Sequence, residues 1–139
     1  MNAVIYASRG GNTRKLADAV AGGAGVKAQA IADAVDLAQV DILFIGASLY
    51  AGRINKGLRQ FLQALKEKQA AKAVVFGTSA SGKSALAEIK SILESRGIPV
   101  SPEAFHCKGS FLCVNSGHPN TDDLARAGEF AKRVCDGGL

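Results

Sequence analysis

A doubly wound α/β domain is the architecture implied by this chain, on three grounds. Strand-like and helix-like segments alternate along its 139 residues, the pattern of parallel strands joined by right-handed helical crossovers. Ile42-Leu43-Phe44-Ile45 and Ala73-Val74-Val75-Phe76 are unbroken apolar runs, as expected of strands covered by helices on both faces. Three strand-end loops, Ser8–Thr13, Gly46–Asn55 and Gly77–Ser84, are rich in glycine and hydroxyl residues. Sheets of this kind bind ligands outside their carboxyl ends.

The elements follow in order. A strand is expected at 2–7, then a turn, then a helix at 12–23 carrying Leu16, Ala17 and Val20. A weaker strand at 27–31 precedes a strong one at 40–47. Ile54, Leu58, Phe61, Leu62 and Leu65 share one helical face, which predicts a helix over 54–69. The apolar run gives a strand at 73–77. Leu86, Ile89 and Leu93 define a helix at 82–96, closed by Gly97 with Pro99 just beyond. A last strand at 104–114, bent or split near Gly109, leads to a helix at 120–135 with Leu124, Ala127, Ala131 and Val134 inward. No internal repeat, linker or low-complexity tail interrupts the pattern, so residues 1–139 read as one domain.

A chain of this length can bury a real core, and 47% hydrophobic with 21% charged residues is ordinary for a soluble protein. No window approaches the roughly 18 consecutive apolar residues of a membrane span. The first residues lack the pattern of a secretory leader, and a cytoplasmic location is the expectation. Cys107, Cys113 and Cys135 are odd in number and lack CxxC spacing, against a disulfide framework or a zinc site. They read as small hydrophobes in the last strand and helix. His106 and His118 stand apart, so no metal-binding or catalytic residue is assigned. The net charge of +5 is spread along the chain without basic runs interleaved with aromatics, which argues against nucleic acid. It could steer an acidic partner or an anionic ligand.

Val4-Ile5-Tyr6-Ala7-Ser8-Arg9-Gly10-Gly11-Asn12-Thr13 is the most informative stretch. A strand ending in a turn that opens a helix gathers unpaired N–H groups at a positive dipole end, a ready anion site. Gly10 and Gly11 remove the Cβ atoms that would hold a phosphate off. Ser8, Asn12 and Thr13 offer side-chain donors, and Arg9 or Arg14 offers charge. A plain strand-to-helix turn with Asn12 or Thr13 as N-cap would leave the same residues.

Three such loops in this order and in a chain of this size resemble the flavodoxin family, over Met1 to about Val134. The resemblance implies a three-layer α-β-α sandwich, with a five-stranded parallel sheet in the order 2-1-3-4-5. It also implies FMN as cofactor. The family's first loop, T/S-x-T-G-x-T, binds the FMN phosphate and here reads Ser8-Arg9-Gly10-Gly11-Asn12-Thr13. Gly10 replaces a hydroxyl residue there. The second loop, with Ser48, Leu49, Tyr50, Ala51 and Gly52, is similar to the segment bordering the isoalloxazine ring, which Tyr50 would stack on and Gly52 would let backbone approach. Thr78, Ser79 and Ala80 occupy the place of the other ring-contacting loop, without the acidic and Tyr residues many relatives carry. The basic balance is a further departure from the usually acidic electron carriers of the family.

The resemblance implies a carrier that passes electrons between redox partner proteins, as a monomer or weak homodimer. Gly46–Gly52 also resembles the flavodoxin-like protoporphyrinogen oxidases. An FMN-dependent oxidoreductase acting on a quinone, a nicotinamide or a porphyrin precursor is therefore the alternative. A binding module without flavin stays open on account of Gly10 and the plain third loop. Gly77-Thr78-Ser79-Ala80-Ser81-Gly82-Lys83-Ser84 satisfies G-x-x-x-x-G-K-S and would by itself suggest a nucleotide triphosphatase. Against that, no downstream strand ends in a magnesium-binding Asp, and Asp41 begins its strand at the wrong end of the sheet.

Overall fold

The computed structural model describes residues 2–7, 12–31, 39–47, 49–50, 53–54, 56–77, 82–102, 105–106 and 121–137. In chain order these form β1 (Asn2–Tyr6), α1 (Asn12–Ala24), β2 (Ala28–Ala30), β3 (Val40–Ala47), β4 (Leu49–Tyr50) and β5 (Arg53–Ile54). There follow α2 (Lys56–Gln63), β6 (Ala70–Gly77), α3 (Gly82–Glu94), β7 (Phe105–His106) and α4 (Thr121–Cys135).

One sheet has the order β2-β1-β3-β6-β7, and every neighbouring pair in it is parallel. Its first four strands stand in the expected 2-1-3-4 order, and the two residues of β7 add the fifth position. The register runs straight across the carboxyl end: Ala30, Tyr6, Gly46, Phe76 and Phe105 are successive partners in one row.

The apolar strands divide their side chains between two layers, because successive residues face opposite ways. Val4, Tyr6, Phe44, Val74 and Phe76 pack with Leu16, Ala17 and Val20 of α1 and Ala127, Phe130 and Ala131 of α4. Ala3, Ile5, Leu43, Ile45, Ala73 and Val75 pack with Leu58 and Leu62 of α2 and Ile89 and Leu93 of α3. Helices thus cover both faces, which is why β3 and β6 read as unbroken apolar runs. Where α1 meets α4, a Cβ built on Gly23 would lie 2.1 Å from the Gly128 carbonyl oxygen. No helix is long and apolar enough to cross a membrane among the described residues.

Helix α3 stops where expected. Gly97 takes φ +71°, its N–H bonds to Glu94 O at 3.1 Å and Ile98 N–H to Leu93 O at 3.1 Å. This is a Schellman cap, closed by the apolar pair Leu93 and Ile98, both fully buried.

Two expectations are corrected, and a third falls largely outside the described residues. The second helix spans only Lys56–Gln63, against 54–69. Ile54 is drawn instead into β5, paired with Leu49, and the Gln63 carbonyl accepts a hydrogen bond from Arg96 Nη2, which closes the helix end. Leu65 lies past the helix yet is buried, so its spacing reports packing and not helix. Strand β6 begins at Ala70, three residues before the apolar run, because Ala70 pairs with Val40. Of the last strand, the described part is Phe105–His106, and the expected remainder to 114, with Cys107 and Cys113, lies outside the described residues.

Candidate functional site

The shared register row shows that three loops start from one edge of the sheet. In sequence, Ser8, Ser48 and Thr78 each stand two residues past the row formed by Tyr6, Gly46 and Phe76. All three chains therefore leave neighbouring strands, β1, β3 and β6, at the same height. Each departure begins on a hydroxyl residue.

Beneath that edge lies a dry floor. Tyr6 and Phe76 are buried at 8% and 0% exposure. Between them stands Gly46, where a Cβ would meet the Phe76 ring at 2.7 Å and Tyr6 Cβ at 2.9 Å. Gly46, where the expected strand at 40–47 and the expected second loop overlap, is the seventh residue of β3, and its missing side chain lets the Phe76 ring lie against the strand.

The edge is electrostatically suited to an anion. Helices α1, α2 and α3 all point their amino ends at it, and none has an acidic residue in its first turn. Carboxylates are the residues normally favoured there. Arg14 and Lys15 in α1 and Lys56 in α2 are exposed cations in those turns. The amide dipoles and cations at the starts of α1 and α2 suit a phosphate there, while α4, whose last residue Cys135 bonds Asn2 at the opposite edge, brings the exposed Asp122 carboxylate to this one.

Asn12 and Thr13 open α1, directly beyond the first loop, as expected. Leu49 and Tyr50 form β4, which pairs antiparallel with β5 through Leu49–Ile54 and Tyr50–Arg53. The described part of the second loop is therefore a short β-ribbon where a loop was expected. Ser8, Arg9, Gly10, Gly11, Ser48, Ala51, Gly52, Thr78, Ser79 and Ala80 lie outside the described residues. Of the G-x-x-x-x-G-K-S match, Gly77 ends β6 and Gly82, Lys83 and Ser84 open α3. Asp41 is the second residue of β3, at the amino edge of the sheet, the opposite edge from the one where α3 starts, so it cannot serve a magnesium ion held at the start of that helix.

Sequence reasoning missed the anchor of the ribbon. Glu88 of α3 accepts a hydrogen bond from the Ile54 N–H at 3.1 Å through Oε1. Its Oε2 pairs with Arg59 Nε of α2 at 3.0 Å. Arg59 Nη2 in turn reaches the Ile54 carbonyl at 3.5 Å. Nothing in the chain pattern marks Glu88, which looks like any polar residue on a helix surface, 34 residues from its partner.

Residues 3–109 match a family model described as a flavodoxin domain. Uncharacterized protein MJ0298 of Methanocaldococcus jannaschii is 33% identical over 105 residues, 68% of this chain and 69% of that protein. A flavodoxin from the domain Archaea superposes with a TM-score of 0.75 at 18% identity, over 99% of this chain and 98% of its own. A WrbA-like flavodoxin from Agrobacterium tumefaciens gives 0.73 at 21% identity, over 97% and 94%. At those identities the superpositions speak to the fold.

Proposed function

The chain belongs to the flavodoxin domain family, and from that premise we propose that it binds FMN non-covalently and passes electrons between protein partners. FMN supplies the one- and two-electron chemistry when bound, and the protein supplies position and electrostatics. The first loop, Ser8 to Thr13, holds the phosphate through backbone N–H groups at the start of α1, with hydroxyl and amide donors from Ser8, Asn12 and Thr13. Arg9 and Arg14 add positive charge. The ribbon with Tyr50 borders one side of the ring, and Thr78–Ala80 the other. Tyr6, Gly46 and Phe76 close the edge from below and keep water out of it. No protein nucleophile or general base takes part.

The observation that carries this reading is the common height at which the three loops leave β1, β3 and β6. A flat ring with a phosphate tail needs contacts along a line of adjacent strand ends, and the register supplies that line. A nucleotide triphosphatase would use the third loop alone and leave the other two without a task.

The test is a titration of flavin-free protein with FMN, followed by quenching of flavin fluorescence. One-to-one saturation is expected. Gly11→Asp, which sets a carboxylate against the phosphate, should weaken binding by tenfold or more, about 1.4 kcal/mol or above, and Lys83→Ala far less. Binding indifferent to Gly11→Asp would remove the phosphate from the first turn.

A further inference from the structure

The ribbon of β4 and β5 is only two residues long on each side, too short to hold its shape alone. In an antiparallel pair, residue pairs that exchange backbone hydrogen bonds alternate with pairs that turn those groups outward. The Ile54 N–H goes to Glu88, so Leu49–Ile54 is the outward pair. Its exposed edge is taken up by side chains. Glu88 accepts from the N–H, and Arg59, fixed by the other Glu88 oxygen, reaches the carbonyl. The Glu88 and Arg59 side chains are 19% and 26% exposed, sheltered enough for a charge-assisted hydrogen bond to outcompete water.

The placement of this clamp matters. Helix α3 begins just after the third loop, and β4 just after Ser48 of the second. A single carboxylate thereby ties together the two segments on either side of the proposed ring position. We propose that Glu88 is a positioning residue for the flavin ring, setting through Ile54 and Arg59 where the Tyr50 ribbon stands. This rests on the FMN reading above. Glu88 touches no flavin atom in this account and acts only through the ribbon.

The experiment measures FMN and riboflavin affinity, the visible circular dichroism of the bound flavin and its midpoint potential, in the wild type, Glu88→Ala and Glu88→Gln. Riboflavin lacks the phosphate and so isolates the ring's share of binding. Glu88→Ala should lose about tenfold in affinity for both ligands, keep the wild-type ratio between them, and alter the dichroism and potential. Glu88→Gln should recover most of both, because its amide oxygen still accepts from Ile54. Should Glu88→Ala not fold, Arg59→Leu takes its place, with the same spectral change expected in smaller measure. A variant with wild-type affinity and a superimposable spectrum would overturn the proposal, as would a loss confined to FMN. Wild-type protein that takes up no FMN would bring down the underlying reading before any variant was made.

Discussion

Asn2 Nδ2 donates to Cys135 Sγ at 3.2 Å, joining β1 to the end of α4. Burial pushes the Cys135 thiol above its ordinary value and the Asp136 carboxylate adds to the push, while Lys72 and the Asn2 bond act the other way. A raised thiol means that the folded chain holds the proton more tightly than the unfolded one. The resulting stability is complete below the unfolded thiol's value of about 8.5 and is lost as pH climbs through the folded value. Urea unfolding of wild type should therefore lose stability more steeply as pH rises above about 8.5 than that of Cys135→Ala. Parallel slopes would contradict it. That Cys135 is a small, part-buried residue packed at the end of the last helix was readable from its type and position. The roles of Gly46 and Glu88 were not. A glycine at a strand end has the same letter whether it opens a loop or admits a ring. A glutamate's tertiary partner leaves no trace in its neighbours.

Helix α1 carries Gly22 and Gly23 side by side, and the two should respond to alanine in opposite ways. A Cβ on Gly22 meets nothing within 4 Å, so Gly22→Ala should stabilise by up to about 1 kcal/mol through helix propensity. A Cβ on Gly23 would press 2.1 Å from the Gly128 carbonyl and 3.1 Å from Ala131 Cβ. Parting α1 from α4 costs about 1–3 kcal/mol, which outweighs the same gain in propensity. Thermal melts of the two variants check this, and shifts of the same sign would contradict the close crossing. Among the elements, α1, α3 and α4 were legible because their apolar periods are long, and β3 because its apolar run is unbroken. The second helix was overextended, since Ile54 and Leu65 continue its period while belonging to a ribbon and a turn. The ribbon itself escaped notice: two-residue strands have no period to read.

Over the whole molecule, the continuous apolar strands and their alternation with helices carried the architecture, and glycine-hydroxyl loops at strand ends carried the proposal for the site. Register is what the sequence pattern could not show. Apolar runs fix which strands are buried on both faces, but a slide of one residue between β3 and β6 would leave the runs unchanged and set the loops at different heights. In the structure Tyr6, Gly46 and Phe76 are level, and on this levelness rests the proposal that the three loops serve one ligand.

The most direct check is a crystal structure of the protein grown with FMN. The phosphate should lie on the backbone N–H groups between Ser8 and Thr13, with the ring along the strand ends beside Tyr50. A phosphate seated instead at Gly82–Ser84, or an edge filled by the protein's own side chains, would contradict the account.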